Sequence, residues 1–424
     1  MTAGATFRRG LARTFSALGV PNYRRYAFGQ AVSLTGTWMQ RVAQAWLVLE
    51  LGGTGTELGL VTGLQFLPLL LFGMWGGLVV DRVDTRRLLV ATQAGAAVLA
   101  LVLGVLVATG AVQLWMVMGL ATALGVVHLF DNPGRQAFVL EMVAPDQLAN
   151  AVTLNSVAVN AARVLGPAVA AGLITTAGLA ACFVLNAVSY LAVIAAFASM
   201  RRHELRPGEV QRRGPGQLRE GLAYVWRTPE LRRPLLAMAV VGTLAYEFQV
   251  VLPLMARFAF DGGAAAYGAM TSCMGVGAVV GGLVLAGRDR SGPRSLALAG
   301  YGFGASLLAA AAAPTLAVEL VALVGVGVGS IAFLAAANTL LQLGAAPAMR
   351  GRVMALWAVA FLGSTPVGGP LIGWVGEHLG PRVGLALGGV ATVVAAAVLL
   401  RERSSVRDPA IASAGAAGAA DVAG

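Results

Sequence analysis

Residues 88–109 have the sequence LLVATQAGAAVLALVLGVLVAT, a run of 22 residues that contains no charged side chain. A helix rises about 1.5 Å per residue, so about 20 apolar residues cross the ~30 Å hydrocarbon core of a bilayer. The run is too long and too continuously apolar for the roughly ten-residue alternating strand of a membrane β-barrel. This stretch therefore predicts a transmembrane α-helix.

Similar runs recur along the whole chain. Of its 424 residues, 58% are apolar and only 12% are charged, and the mean hydropathy is +0.77, which is more apolar surface than a soluble fold can bury. Breaks at charged residues, glycines and prolines divide the chain into twelve predicted spans: 27–49, 58–80, 88–109, 112–131, 149–176, 179–200, 234–257, 264–287, 295–313, 316–343, 353–375 and 382–400. The predicted fold class is an all-α, polytopic membrane protein with twelve transmembrane helices.

The positions of arginine predict how these helices are oriented. The chain has no lysine, and 26 of its 30 arginines lie in the two tails or in the even-numbered loops. Cationic segments resist translocation across a membrane. We therefore expect a multi-pass protein of a bacterial inner membrane with both termini in the cytoplasm. The net charge of +11 follows this topology and not one basic domain, so no nucleic-acid partner is expected.

The chain divides into two halves with related patterns. The expected organisation is a cytoplasmic tail (1–26), a six-helix bundle (27–200), a cytoplasmic linker (201–233), a second bundle (234–400) and a disordered cytoplasmic tail (401–424). Within the linker, residues 217–227 have helical spacing of apolar residues and could lie along the membrane surface or form a solvated connector. The order Asn132, Gln136, Pro145, Gly166-Pro167 in the first half is repeated as Asn338, Gln342, Pro347, Gly369-Pro370 in the second. Such a repeat predicts two pseudo-symmetric bundles with a central site between them.

The loop between the second and third spans carries the sharpest motif. Residues 73–87 have the sequence GMWGGLVVDRVDTRR. Small residues allow two helices to approach closely, and a carboxylate in a tight turn can cap a helix or pair with arginines. We predict that Gly77, Asp81, Arg82, Arg86 and Arg87 form a latch that stabilises one conformation.

This segment resembles the signature loop of the major facilitator superfamily, although Asp84 stands where that family often has glycine. The segments NYRRY (22–26), GTWMQR (36–41) and RGRVMALW (350–357) resemble, more narrowly, the branch that contains the enterobactin exporter and macrolide-efflux proteins. The resemblance implies two six-helix bundles, alternating access, a monomer and, commonly, proton-coupled efflux.

Several charged side chains fall inside the predicted helices, and we single out Arg41, Asp131, Arg163 and Glu247. Charge within the hydrocarbon region is costly, so these residues are candidates for a substrate or proton pathway. We predict that Glu247 exchanges a proton for substrate, because a desolvated carboxyl group favours its protonated form. The alternative is a structural ion pair between Glu247 and Arg41 or Arg163.

Polar and aromatic side chains on these spans are candidates for lining a cavity. Gln40 and Gln44 share one face of the first helix, with Arg41 beside them. Aromatic rings could stack on an amphipathic substrate, although Trp and Tyr also face lipid or the membrane interface. The predicted lining residues are Trp38, Gln40, Gln44, Asn155, Tyr246, Gln249 and Trp357.

The fifth span carries Gly166, Pro167 and Gly172. These residues permit close packing and a local bend. The segment is similar to the antiporter motif that exporters of this superfamily have on helix five, with fewer glycines. A role in the direction of transport and a plain packing kink are the two interpretations.

Together these features predict a secondary active transporter of a small organic molecule, and the resemblance implies export of a siderophore, a macrolide or another hydrophobic drug by proton antiport. Uptake or facilitated transport of a metabolite by the same fold is the alternative, and a non-transporting signalling protein or an intramembrane enzyme is more remote. Without lysine, the chain cannot contain the G-x-x-x-x-G-K-[ST] nucleotide-binding loop, and no cofactor or metal site is expected. The expected partners are the substrate, protons and the lipid bilayer.

Overall fold

The structure is a computed structural model that describes residues 16–80, 82–206, 217–285 and 292–401, and within these ranges the regular structure is helical. The helices are α1 (Pro21–Glu50), α2 (Gly55–Val80), α3 (Thr85–Ala108), α4 (Leu114–Met142), α5 (Pro145–Ala177), α6 (Leu179–Ala198), α7 (Gln217–Arg227), α8 (Pro229–Ala245), α9 (Phe248–Leu254), α10 (Ala264–Leu285), α11 (Pro293–Ala311), α12 (Leu316–Gly344), α13 (Arg350–Leu362), α14 (Thr365–His378) and α15 (Pro381–Arg401). A π-helical turn at Met255–Ala259 continues α9, and short 3-10 turns lie at Ser16–Gly19 and Arg202–Glu204.

The described helices form twelve long runs. One run combines α8, α9 and the π-helical turn, and another combines α13 and α14. Ten runs are long and apolar enough to cross a membrane, and α1 and α11, which are more polar, complete the twelve. Each run overlaps one predicted span, although α1 already begins at Pro21 and α4 continues to Met142. The all-α, twelve-helix fold class is confirmed.

An even number of spans puts both ends of the described chain on one side of the molecule. We call this side the terminal face; it carries the start of α1, the helix α7 and the end of α15. The other side, the opposite face, carries the connections at 51–54, 109–113, 178, 260–263, 312–315 and 379–380. The assignment of the terminal face to the cytoplasm stays a prediction from the arginine distribution.

Two helix-packing seams join the six-helix halves. In one seam α5 packs on α10, and a Cβ atom added to Gly268 would lie 2.8 Å from the carbonyl oxygen of Pro167. In the other, α14 packs on α2, and a Cβ atom added to Gly59 would lie 2.8 Å from Cα of Pro370. Only glycine fits at such distances. Pro167 and Pro370, which the sequence pattern related to each other, therefore occupy matching positions in the two pseudo-symmetric halves.

Further contacts close the opposite face. The hydroxyl of Thr56, in the first half, donates a 2.6 Å hydrogen bond to the carboxylate of Glu377, in the second. The guanidinium of Arg257 donates a 3.0 Å hydrogen bond to the carbonyl oxygen of Leu49. These contacts tie the end of α1 and the start of α2 to the ends of α14 and of the α9 run.

The close glycine contacts of both seams lie between the middle of the helices and the opposite face. Their packing reaches Gly363 beside Leu70 in one seam and Gly275 beside Arg163 in the other, near the middle of the α13–α14 run and of α10. The described hydrogen bonds and glycine contacts that join the two halves therefore lie between these points and the opposite face, and the structure is closed at the opposite face.

The helix α7 packs on the second half at the terminal face. Val225 is buried in a cluster with Leu341 and Val353, and the carboxylate of Glu220 forms a 2.7 Å ion pair with Arg352. Trp226 remains 57% exposed. The predicted amphipathic helix therefore exists and buries one face against α12 and α13. Residues 207–216 of the predicted linker, and 402–424 of the predicted tail, lie outside the described residues.

Candidate functional site

Two membrane-spanning runs of the second half are interrupted near their middle. Tyr246 and Glu247 separate α8 from α9, and Gly363 and Ser364 separate α13 from α14. In membrane proteins, irregular backbone at this depth is tolerated where it is buried in protein or borders a cavity, and it is common at the sites of transporters. Sequence reasoning placed Glu247 near the middle of a helix, and the structure places it in a break.

The Glu247 carboxyl group lies where the two interrupted runs meet. Its side chain lies beside Thr365, the first residue of α14, and its Oε1 atom is buried without a hydrogen-bond partner among the described residues. A Cβ atom added to Gly368 would lie 2.8 Å from this oxygen, so α14 packs directly on the carboxyl group. In the described part of the chain Glu247 has no ion pair with Arg41 or Arg163, which was the structural alternative.

Aromatic rings surround this break. The ring of Tyr246 lies edge-on to Phe361 at a centroid distance of 5.1 Å and lies 5.2 Å from Phe303. Its hydroxyl donates a 2.7 Å hydrogen bond to the carbonyl oxygen of Ser330. Trp357 stacks on Phe361 at 5.6 Å. Tyr246 and Trp357, both predicted to line a cavity, thus belong to one aromatic cluster of the second half.

The first half carries a different group, in which two arginines approach one tryptophan. The guanidinium carbons of Arg41, on α1, and Arg163, on α5, lie 4.6 and 5.1 Å from the centroid of the Trp38 ring. The Nε atom of Arg163 is buried and has no hydrogen-bond partner among the described residues. We call Trp38, Arg41 and Arg163 the Trp38 cluster. All three were predicted as site residues, and the structure brings them together.

Asp131, the fourth predicted intramembrane charge, is well partnered. It forms a 2.6 Å ion pair with Arg135, one turn later on α4, and accepts hydrogen bonds from Gln93 over 2.7 Å and from Thr92 over 2.9 Å. Sequence reasoning did not single out Arg135, although its i, i+4 spacing from Asp131 on a helix indicates such a pair. The charge of Asp131 is therefore neutralised and hydrogen-bonded within the first half.

Two cavities adjoin the Trp38 cluster, and Arg41 borders both. The larger, of about 110 Å³, lies within the first half. Its polar wall includes Thr37, Arg41, Gln93, Asp131, Arg135 and Tyr190. The smaller cavity is lined by Gln44 and Gln65 from the first half and by Gln249 from the second. The predicted lining residues Gln44 and Gln249 thus meet beside Arg41, at the junction of the two halves.

Two other predicted lining residues lie away from this junction. Gln40 is 5% exposed and accepts a 2.6 Å hydrogen bond from Asn186, so it is held in the core of the first half. Asn155 precedes Arg163 by eight residues, about 12 Å along α5, and lies toward the terminal face. The structure does not bring either side chain to the Trp38 cluster.

Gly166 explains how α5 comes close enough to α1 to form that cluster. A Cβ atom on Gly166 would lie 2.5 Å from Cβ of Trp38 and 2.8 Å from the carbonyl oxygen of Thr35. Pro167 lies in the seam with α10. Gly172, in contrast, has no neighbour within 4 Å of an added Cβ atom, so close packing does not require glycine there.

The predicted latch is only partly described, because Asp81 lies outside the described residues. Gly77 is buried, and Arg82 and Arg87 are exposed at the terminal face. Arg86 donates a 2.8 Å hydrogen bond from Nε to the carbonyl oxygen of Phe197, at the end of α6 in its own half. The residue that caps α3 is Asp84, whose carboxylate accepts a 2.8 Å hydrogen bond from the backbone N–H of Arg87. An N-cap carboxylate satisfies an unpaired helix donor, a role that sequence reasoning did not assign to Asp84.

Comparison with protein families identifies the class of this protein. The family model described as transmembrane secretion effector matches residues 12–417. The chain belongs to this family. It is a membrane transporter of the major facilitator type, as the sequence resemblance indicated, and not an enzyme.

Known proteins with similar sequence or structure are transporters as well. The Staphyloferrin A transporter of Staphylococcus aureus is 24% identical over 265 residues, which cover 62% of this chain and 66%, just under two thirds, of that protein. The nucleoside transporter NupG superimposes with a TM-score of 0.73 over 89% of this chain and 98% of its own, at 10% identity. A bacterial homologue of the human lysosomal transporter Spinster, in an inward-facing and occupied conformation, has a TM-score of 0.69 over 90% of this chain and 96% of its own, at 15% identity. At these identities, the two solved structures show the shared fold alone.

Proposed function

We propose that this transporter exports a small organic molecule in exchange for protons, and that Glu247 carries the coupling proton. The position of Glu247 supports the proposal: two interrupted helices meet at its carboxyl group, and one of its oxygens is buried without a partner. Burial without a counter-ion makes the charge of a carboxyl group sensitive to any change in its surroundings. Protonation of Glu247 would therefore be coupled to a rearrangement of α9 against α14.

Alternating access would expose the site first to one side of the membrane and then to the other, which allows a proton to be exchanged for substrate. The protein is closed at the opposite face, and if the terminal face is cytoplasmic, this is the conformation that accepts substrate from the cytoplasm. Export then requires the α2–α14 and α5–α10 seams to separate while the terminal face closes. The Asp81 to Arg87 latch would stabilise the state that is closed at the terminal face, in which its exposed arginines meet partners.

Siderophores, macrolides and other hydrophobic drugs are the proposed substrates. The aromatic cluster around Tyr246 supports an amphipathic molecule, because its rings supply an apolar wall beside the polar junction between the halves. The Staphylococcus aureus relative, named as a transporter of staphyloferrin A, supports a siderophore within this group.

The test is transport by the purified full chain in liposomes that contain a pH-sensitive dye. A panel of siderophores, macrolides and fluorescent dyes is presented with and without an imposed pH gradient. We expect one of these compounds to move against its own gradient while protons move in the opposite direction. Glu247→Gln keeps the size of the side chain but removes its titration, so it should abolish the coupled movement.

Glu319→Gln is the matched control. Glu319 is also fully buried in the second half, and both of its carboxyl oxygens lack hydrogen-bond partners among the described residues. It lies in the first turn of α12, toward the opposite face, away from the helix breaks. Proton-coupled transport should persist in this variant. Full coupling in Glu247→Gln, or equal loss in both variants, would contradict a specific role of Glu247, and movement independent of the pH gradient would contradict antiport.

A further inference from the structure

The Trp38 cluster contains two cations without an anion. Neither Arg41 nor Arg163 forms an ion pair in the described part of the chain. Their electrostatic neighbours include each other, the ring of His128 and the hydroxyl-bearing rings of Tyr190, Tyr246 and Tyr267. Charged residues at membrane depth ordinarily pair with an opposite charge or face water. Asp131 does not supply the counter-charge, because its carboxylate already pairs with Arg135 and accepts hydrogen bonds from Thr92 and Gln93.

The cluster also lies where the two halves of the protein meet. Arg41 borders the small cavity that contains Gln249 of α9, and Tyr267 belongs to α10 of the second half. The backbone of Arg163 lies beside Gly275, near the middle of α10 in the second half.

We propose that the Trp38 cluster binds an oxyanion of the transported molecule, so that the substrates are organic acids that carry at least one carboxylate. A guanidinium group presents paired N–H donors that match the two oxygens of a carboxylate. The contacts with the Trp38 ring hold both guanidinium groups in place before the ligand arrives. The buried, unpartnered Nε of Arg163 gains an acceptor when the anion binds.

This assignment rests on the proposed function, whose substrate it specifies. A neutral macrolide lacks the required group, and a cationic dye would be repelled by two like charges. Among the proposed substrates, it selects those with a free carboxylate.

Equilibrium binding tests the inference without requiring transport. The purified full chain in lipid nanodiscs is titrated with citrate and with benzoate, and in parallel with triethyl citrate and ethyl benzoate, which keep the carbon skeleton but carry no negative charge. Binding is measured by calorimetry and by the shift in the unfolding temperature. The variants are Arg41→Gln, Arg163→Gln and, as a control, Arg24→Gln, which removes the same charge from an exposed position on the helix of Arg41.

We expect at least one acid to bind to the wild type and to Arg24→Gln more tightly than its ester does. Its affinity should fall at least about tenfold in Arg41→Gln and in Arg163→Gln, because each change removes a charge-assisted hydrogen bond. Arg41→Lys and Arg163→Lys keep the charge and lose the paired donors, so they should give intermediate affinities and serve if the glutamine variants do not fold.

Equal binding of acid and ester, unchanged affinity in both arginine variants, or no binding of either acid would overturn the inference. The outcome is separable from that of the transport experiment. Acid binding that depends on both arginines, without pH-driven transport, would keep this inference and contradict antiport. Proton-coupled export of neutral molecules alone would do the reverse.

Discussion

Replacement of Gly166 by alanine tests how α5 is held against α1. The added Cβ atom would lie 2.5 Å from Cβ of Trp38, 2.8 Å from the carbonyl oxygen of Thr35 and 2.9 Å from the backbone nitrogen of Met39. Carbon atoms pack at about 3.5–4.0 Å, so the two helices must separate by about 1 Å. None of the three atoms can be moved by a change of rotamer alone.

The cost follows from this geometry. Overpacking typically destabilises a protein by about 1–3 kcal/mol. Because the backbone of both helices takes part in this contact, we expect a destabilisation near the upper end, about 3 kcal/mol. Alanine returns up to about 1 kcal/mol through its higher helix propensity. We expect a net loss of roughly 2 kcal/mol in the free energy of unfolding.

Gly172→Ala is the control on the same helix. An added Cβ atom there has no neighbour within 4 Å, so helix propensity alone should act, and the variant should be as stable as the wild type or up to about 1 kcal/mol more stable. Thermal unfolding of both variants in the same detergent, followed by intrinsic fluorescence, gives the comparison. The packing argument would be refuted if Gly166→Ala unfolded at or above the temperature of the wild type. It would also be refuted if Gly172→Ala unfolded at a lower temperature than Gly166→Ala.

Two further predictions concern charged contacts. Glu377→Gln weakens the acceptor of two hydrogen bonds from Thr56, of 3.0 and 2.6 Å, across the opposite face. Because this carboxylate is exposed to water, its contact contributes up to about 1 kcal/mol, so the population open at that face should rise by up to about fivefold. Distances between spin labels across the face measure the shift, and an unchanged distribution would show that the contact does not contribute to closure. Asp131→Asn leaves Arg135 without its carboxylate and should destabilise the protein by about 3 kcal/mol, measured by thermal unfolding. Because the double change Asp131→Asn with Arg135→Gln removes the unpaired charge, it should recover part of that loss, and a double variant less stable than the single one would contradict the pairing.

The charges that the sequence singled out illustrate what local pattern can and cannot supply. Arg41, Asp131, Arg163 and Glu247 were recognised because an ionisable residue inside an apolar run is unusual. The side chains that they contact were not predicted. Only the Asp131–Arg135 pair could have been inferred from sequence, because the two residues are four positions apart on one helix. Pairing depends on which helices become neighbours, and residues such as Glu247 and Thr365 are separated by more than a hundred positions in the chain.

The helix breaks were also beyond sequence reasoning. Polar residues do lie at both breaks, Glu247 and Gln249 at one and Ser364 and Thr365 at the other, but in an isolated helix each break would leave backbone groups unpaired. Packing of α8 and α9 against α14 supplies neighbours for both breaks at once, so neither can be inferred without the other.

The sequence alone determined the class of the molecule: twelve apolar spans, their shared repeat and the motif at 73–87 are properties of short segments, because membrane insertion depends on about 20 consecutive residues at a time. It also supplied the residues of the Trp38 cluster as candidates. Only the tertiary structure decided that Arg41 and Arg163 both contact the Trp38 ring. It also decided that Asp131 has an ion-pair partner while these two arginines have none among the described residues, and that the two halves are in contact at the opposite face. These properties depend on distances between helices, which in a membrane are fixed by close packing of small residues such as Gly166 and by polar contacts between distant segments.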